Sequence, residues 1–155
     1  MSVFVGFCLV FKHSLGGMLF VMKRDNKNNS RRGIVTPNGV VLETHETATV
    51  TYFTELGFDI ELIPKSQVEG IHRPDIIMDG LEWEIKSPKG TGKWLIKNTL
   101  QRAQKQSTNI IIDLRRAKLP QEKCMNALIR EFNHSKRIKR LKIITQTGKL
   151  LEFSK

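Results

Sequence analysis

Apolar positions between residues 43 and 64 change from a helical to an extended spacing. The sequence predicts a helix over residues 43–56, because residues spaced three and four apart share one helical face. These residues are Thr49, Tyr52, Phe53 and Leu56. Gly57 follows, and glycine is the residue that most often ends a helix. From residue 58 to residue 64 apolar and polar residues alternate, which predicts a strand.

Two short apolar segments follow, joined by a tight-turn dipeptide. PDIIM and LEWEIKS flank Asp79-Gly80, a pair preferred in two-residue type I′ turns, so the sequence predicts a β-hairpin. In this register Asp75 lies opposite Glu84, with Cα atoms about 4.5 Å apart. Strand alternation places the apolar side chains on a core face, namely Ile76, Met78, Leu81, Trp83 and Ile85. The other face carries Asp75, Ile77, Glu82, Glu84 and Lys86.

Helical and strand patterns alternate again towards the C-terminus. A second helix presents the apolar face Ile96, Leu100 and Ala103, and NIIIDL (residues 109–114) has the continuous apolar character of a buried strand. Pro120 opens a third helix with an inward face of Met125, Leu128, Ile129 and Phe132. RLKIITQ and KLLEFS predict a hairpin around Thr147-Gly148. The expected fold class is α/β (α+β), a short mixed sheet flanked by helices, with an extra C-terminal helix and β-hairpin.

The N-terminal residues fit this pattern least. SVFVGFCLVF is apolar, but no basic residue precedes it and Lys12 and His13 follow, unlike a secretory signal. We therefore expect residues 1–32 to be an apolar leader and polar linker, and residues 33–155 to be a single domain. No run of 18 apolar residues occurs, so stable membrane insertion is not expected.

Charge is distributed unevenly along the chain. Of a formal net charge of +11, residues 1–85 contribute 8 basic and 11 acidic residues, and residues 86–155 contribute 18 basic and 4 acidic residues. A basic half with few aromatic residues suits a polyanion held through its phosphates, although a lysine-rich solubilising surface gives the same balance. Cys8 and Cys124 are too few for a disulfide framework or a four-ligand zinc site.

The predicted hairpin also carries candidate chemistry. Like charges opposite one another destabilise a sheet, so Asp75 and Glu84 need either a shared proton or a bound cation. A hard divalent ion such as Mg²⁺ takes one or two carboxylates together with substrate phosphate oxygens. Lys86 lies on the same face, where its ammonium could stabilise negative charge at phosphorus or orient a water. The alternative is a surface hairpin with a solvated Glu–Lys pair.

These residues resemble a known family. Pro74-Asp75, followed after eight residues by Glu84-Ile85-Lys86, matches the PD-(D/E)xK phosphodiesterase signature, and the predicted order of elements over residues 43–114 is similar to that superfamily's core. The longer segments RPDIIMDGLEWEIKSPKG and LQRAQKQSTNIIIDLRR resemble the tRNA-nuclease toxin domains at the C-termini of contact-dependent growth inhibition proteins (CdiA). The resemblance covers the chain from about residue 43 to the C-terminus and leaves out residues 1–32.

This resemblance implies a metal-dependent endoribonuclease toxin that cleaves tRNA in the cytoplasm of a target bacterial cell and is neutralised by a cognate immunity protein. Asp75 and Glu84 would bind the metal, Mg²⁺ first and Mn²⁺ or Zn²⁺ as alternatives, and Lys86 would act on the water or the scissile phosphate. The superfamily often adds a glutamate from the first helix, and Glu46 stands at the matching position. An acid in a first helical turn also favours the helix dipole without any chemistry.

Polar residues after the motif are candidates for holding the nucleic-acid backbone, and a solvated surface is their alternative. They are Lys89, Lys93, Lys97, Gln101, Arg102, Lys105 and Gln106. Trp94 is expected in the core in preference to stacking on a base. A His45–His72 pair would offer a metal-free route. Two other functions stay open: a DNA endonuclease on the same scaffold, and a non-catalytic RNA-binding module.

Overall fold

The structure, a computed structural model, describes residues 31–155. Seven strands form one sheet in the order of their sequence, and three α-helices accompany it. The strands are β1 (Val35–Thr36), β2 (Ile60–Leu62), β3 (Ile76–Met78), β4 (Leu81–Lys86), β5 (Asn109–Asp113), β6 (Arg140–Ile144) and β7 (Leu150–Ser154). The helices are α1 (Thr44–Glu55), α2 (Leu95–Ala103) and α3 (Gln121–His134), and a short 3-10 turn covers Leu114–Arg116.

Strand direction changes at the centre of the sheet. β1 runs parallel to β2, and β2, β3 and β4 are antiparallel to one another. β4, β5 and β6 are parallel, and β7 returns antiparallel to β6. Parallel neighbours need crossover connections, which α1, α2 and α3 supply. β4 is therefore a central strand, with an antiparallel neighbour on one side and a parallel neighbour on the other.

Apolar side chains cover both faces of this sheet. Ile111 belongs to the cluster beneath α1, which includes Phe53 and Trp83. Its neighbours Ile110 and Ile112 belong to the cluster beneath α2 and α3. Successive strand residues point to opposite faces, so the alternation of β5 between the two clusters shows that helices cover the sheet on both sides. All five residues of β5 are buried, as its continuous apolar run predicts.

The predicted fold class is confirmed, with differences at the margins. The inward face of α2 is as predicted, whereas α3 buries Cys124 together with Leu128 and Phe132 and leaves Met125 and Ile129 half-buried. β1 was not predicted, because its two residues are exposed and carry no alternating pattern. The C-terminal hairpin extends the main sheet, since β6 pairs with β5.

Most of the predicted leader and linker lies outside the described residues, as do Cys8 and His13. Arg31 is within the described residues, and its guanidinium lies 3.2 Å from the Asp59 carboxylate. Among the helices of residues 31–155, none is long and apolar enough to cross a membrane.

A buried carboxylate ties α1 to the end of β5. Asp113 is 2% exposed and accepts hydrogen bonds from Thr49 Oγ1 at 2.7 Å and from the Arg115 guanidinium at 2.6 Å. Arg115 also donates to the Ala48 carbonyl at 2.9 Å. Burial would raise the pKa of Asp113, but hydrogen bonds from Arg115 and Thr49 outweigh it and hold that pKa below its usual range.

Arg115→Met is expected to lower the free energy of unfolding at pH 7 by about 3 kcal/mol, because it leaves the Asp113 charge buried without its cation. Arg116→Met is the matched control: Arg116 is exposed and makes no ion pair within residues 31–155, so a change below about 0.5 kcal/mol is expected. Urea unfolding measures both variants. Equal losses in the two variants would contradict this role of Arg115.

Candidate active site

The β3–β4 hairpin forms with the predicted turn and register. Asp79 and Gly80 both have positive φ, 54° and 70°, as a type I′ turn requires. Ile76 pairs with Trp83, and Met78 pairs with Leu81. The predicted core face is confirmed for Ile76, Met78, Trp83 and Ile85, which are buried, whereas Leu81 is partly buried.

The predicted direct pairing of Asp75 with Glu84 is wrong in its backbone detail. The Asp75 N–H donates to the Trp83 carbonyl at 3.0 Å, although Trp83 is already the partner of Ile76. Two residues of one strand thus face one residue of the other, which is the arrangement of a β-bulge. The Asp75 side chain turns towards β4 and accepts a hydrogen bond from the Ile85 N–H at 2.7 Å.

Glu84 is the most confined carboxylate of the hairpin. It is 0% exposed, because it points to the sheet face that α2 covers, in register with Ile110. Its Oε1 accepts a hydrogen bond from Lys86 Nζ. Its Oε2 is buried and has no hydrogen-bond donor among the described residues.

Both carboxyl groups of the hairpin bind a proton more readily than they would in water. Burial, followed by the charge of Asp75, raises the pKa of Glu84 to about 7 despite the nearby Lys86 ammonium. Burial also raises the pKa of Asp75, against the hydrogen bond from Ile85 and the charge of Lys86. The groups are close enough to share a hydrogen bond when Glu84 carries the proton. The hairpin therefore holds two acidic groups where burial limits the screening of their charges by solvent.

Glu46 joins this site from α1. It is half-buried in the first turn, and its charge contributes to the raised pKa of Asp75. Its Oε2 also accepts a hydrogen bond from the Glu43 N–H at 2.9 Å, as part of a capping box at the start of the helix. Glu46 thus has a capping role and, at the same time, lies within electrostatic reach of the hairpin acids.

These residues line one cleft of about 380 Å³. Glu46, Asp75, Glu84 and Lys86 share its wall with Gln106. Two loops also line it: one contributes exposed Val41, and the other contributes exposed Val68 and Ile71 together with charged residues such as Lys65 and Arg73. Sequence reasoning missed these loop residues, although the loop of residues 65–73 leads directly into Pro74-Asp75 and so had to end beside the motif.

The other polar candidates lie outside the wall of this cleft. Lys89, Lys93, Gln101, Arg102 and Lys105 are exposed, and Lys97 is half-buried. α2 ends at Ala103, so Lys105 and Gln106 belong to the turn after the helix and not to its polar face. Of the seven residues proposed to hold nucleic acid, only Gln106 reaches the carboxylates' cleft.

Two further expectations concern Trp94 and the His45–His72 pair. The expected burial of Trp94 is wrong, since the residue is 54% exposed. His72 lines the cleft, but His45 lies 3.3 Å from the Glu43 carboxylate, and no hydrogen bond joins the two histidines within residues 31–155. Ser87, directly after Lys86, has a buried Oγ for which residues 31–155 supply no hydrogen-bond partner.

The fold and the cleft define a mixed α/β domain with carboxylates and a lysine on a central hairpin. The family model described as the contact-dependent growth inhibition CdiA C-terminal domain matches residues 72–150, about half of the chain. The chain belongs to this family, and it is therefore a toxin domain of contact-dependent growth inhibition. The matched range includes Asp75, Glu84 and Lys86.

A solved structure shares the fold. The chain is similar to one from a CdiA-CT/CdiI toxin and immunity complex of Burkholderia pseudomallei, with a TM-score of 0.60 and 14% sequence identity. The similarity covers 79% of this chain and 100% of the other. No curated protein matches the chain by sequence.

Proposed function

We propose that this domain is a metal-dependent endoribonuclease that cleaves tRNA. The observation that carries the proposal is the meeting of Asp75 and Glu84 in one cleft, with Glu84 fully buried and paired with Lys86. A protein gains no stability from two acids held this close, and such arrangements cluster where chemistry needs them. The charge distribution adds a reason to expect a polyanionic substrate.

The donor set fits a hard divalent cation. Glu84 Oε2 is a buried acceptor without a donor in the described part of the chain, and Asp75 lies beside it with a raised pKa. Asp75 and Glu84 would hold the ion, with Glu46 available from α1. Within residues 31–155, no three His, Cys, Asp or Glu side chains are grouped closely enough to hold a metal by themselves. Water and substrate phosphate would therefore complete the shell, as Mg²⁺ prefers.

When bound, such an ion acts as a Lewis acid on the phosphoryl oxygen and lowers the pKa of a bound water. The protein's own groups have separate tasks. Lys86 places a positive charge beside the carboxylates, where it can hold the attacking water or neutralise charge that develops at phosphorus. The hydrogen bond from the Ile85 N–H fixes the Asp75 carboxylate in one orientation.

Assignment to the PD-(D/E)xK superfamily is part of this proposal. The segments Pro74-Asp75 and Glu84-Ile85-Lys86 both contribute to one cleft, and this supports the assignment. The order α1, β2, β3, β4, α2 and β5 is the order that this superfamily's core implies.

Partners follow from the family and from the charge. Residues 85–112 contain six basic residues and no acidic residue, and five of the six lie beyond Lys86 on the crossover from β4 to β5. This segment suits the tRNA backbone. The structural relative comes from a toxin and immunity complex, which supports a cognate immunity protein for this domain as well. We further propose that the domain acts in the cytoplasm of a target bacterial cell.

Incubation of the purified full chain with total tRNA and with plasmid DNA tests the proposal, each with Mg²⁺ and with EDTA. Cleavage of tRNA that EDTA abolishes is the expected result, and parallel reactions with Mn²⁺ and Zn²⁺ identify the preferred ion. Cleavage of plasmid alone would make the domain a DNA endonuclease. Binding without cleavage under every condition would make it a non-catalytic RNA-binding module, and both of these results would overturn the proposal.

A further inference from the structure

The two tryptophans of this chain have opposite environments. Trp83 is 2% exposed in the core, and its indole N–H donates to the Met78 carbonyl at 3.1 Å. Trp94 is 54% exposed immediately before α2. Projected on a helix, residue 94 lies opposite the stripe of Ile96, Leu100 and Ala103 that α2 buries. The exposure of Trp94 is therefore built into the packing of α2.

Two lysines flank the exposed indole. Lys93 Nζ lies 5.1 Å from the centroid of the Trp94 ring, and Lys97 Nζ lies 5.5 Å from it. Neither lysine forms an ion pair within residues 31–155, and no acidic residue occurs between residues 85 and 112. Both positive charges are thus available to an incoming anion.

This chemistry favours one class of ligand. An apolar protein partner would need a continuous apolar patch, but the residues just before Trp94 are exposed and polar or glycine, namely Thr91, Gly92 and Lys93. A nucleotide matches what is present, because it combines a flat aromatic base with a phosphate. Base–aromatic stacking beside basic side chains is the general mode of binding unpaired strands.

We propose that Trp94, Lys93 and Lys97 form a stacking site for an unpaired nucleobase of a polynucleotide, with the lysines on its neighbouring phosphates. None of the three lines the cleft of Asp75 and Glu84, so this is a second contact on the polymer. The inference rests on the proposed function in that the polymer is a nucleic acid. It does not require that the carboxylates cut it.

Tryptophan fluorescence of the full chain, titrated in EDTA with a single-stranded RNA oligonucleotide, tests this site. Stacking is expected to quench the Trp94 emission in a saturable way, while buried Trp83 is unaffected. Trp94→Phe should lose the quenching and keep most of the affinity, because it retains a ring. Trp94→Ala should weaken binding about tenfold, the effect of losing one base stack.

Three controls make the result specific. Heparin, a polyanion without bases, should bind without quenching Trp94, and a fully paired RNA duplex should quench it less than the single strand. Lys93→Ala/Lys97→Ala should weaken oligonucleotide binding more than the matched pair Lys118→Ala/Lys123→Ala, whose lysines are exposed elsewhere.

Equal quenching by heparin, or unchanged affinity in Trp94→Ala, would overturn the stacking site. The two hypotheses fail separately. A chain that quenches and binds but cuts nothing retains the stacking site and loses the nuclease. A chain that cuts tRNA, but whose RNA affinity is unchanged in Trp94→Ala, retains the nuclease and loses the stacking site.

Discussion

Asp75→Asn is expected to reduce tRNA cleavage on the order of 10³-fold, the size of effect seen when a preorganised charge-stabilising group is lost from an active site. The amide keeps the shape of the side chain and can still accept the Ile85 N–H. It removes the negative charge that the proposed cation needs. Affinity for tRNA, measured in EDTA, should change little, because the basic residues of the segment 85–112 are untouched.

Asp79→Asn is the matched control for this substitution. Asp79 lies at the exposed tip of the same hairpin with a φ of 54°, a conformation that asparagine adopts readily. Its variant should cleave tRNA at the wild-type rate. An active Asp75→Asn domain, or equal losses in both variants, would remove Asp75 from the proposed metal site.

Glu84→Gln is expected to stabilise the metal-free domain at pH 8 while it abolishes cleavage. Folding raises the pKa of Glu84 from 4.5 to about 7. Between these two pH values the folded state holds a proton that the unfolded chain has released. The wild type therefore loses stability as pH rises through this window. At 1.36 kcal/mol per pKa unit, the loss is about 3 kcal/mol, and it is complete above pH 7.

The variant carries no titrating group at this position and should escape the loss. Its advantage should be about 3 kcal/mol at pH 8 and should vanish below pH 4.5, where Glu84 is neutral in both states of the wild type. Urea unfolding in EDTA between pH 4 and pH 8 measures it. Glu82→Gln, two residues earlier on the same strand and exposed, should follow the wild-type profile. A Glu84→Gln domain with an unchanged pH profile would show that Glu84 is not held at a raised pKa.

Local patterns explain what could be predicted from the sequence. The dipeptide Asp79-Gly80 fixes the register of β3 against β4. The sheet face to which Trp83 points therefore follows from its distance in sequence from the turn. The bulge at Asp75 could not be predicted this way, because it depends on how β3 meets Trp83 and on the Ile85 N–H that captures the side chain. The sequence thus predicted that the two acids lie close together, but it did not predict the backbone geometry that places them there.

Tertiary packing decides the remaining features. The complete burial of Glu84 depends on α2 covering its face of the sheet, and no local pattern contains that information. The lining of the cleft depends on two loops far apart in sequence, around Val41 and around Val68, that both reach it. Trp94 was within reach of prediction, since its place opposite the apolar stripe of α2 follows from helical periodicity alone.

The hairpin has a consequence for how the site forms. Only ten residues separate Asp75 from Lys86. The turn between them has two residues, Asp79 and Gly80, and both have positive φ. Closing so short a loop costs little chain entropy, and isolated hairpins form within about 1–10 μs. Local structure therefore forms first. The acids and the lysine can come together during early folding, when the hairpin forms. Glu46 and the cover supplied by α2 are added by the slower, non-local docking of the helices.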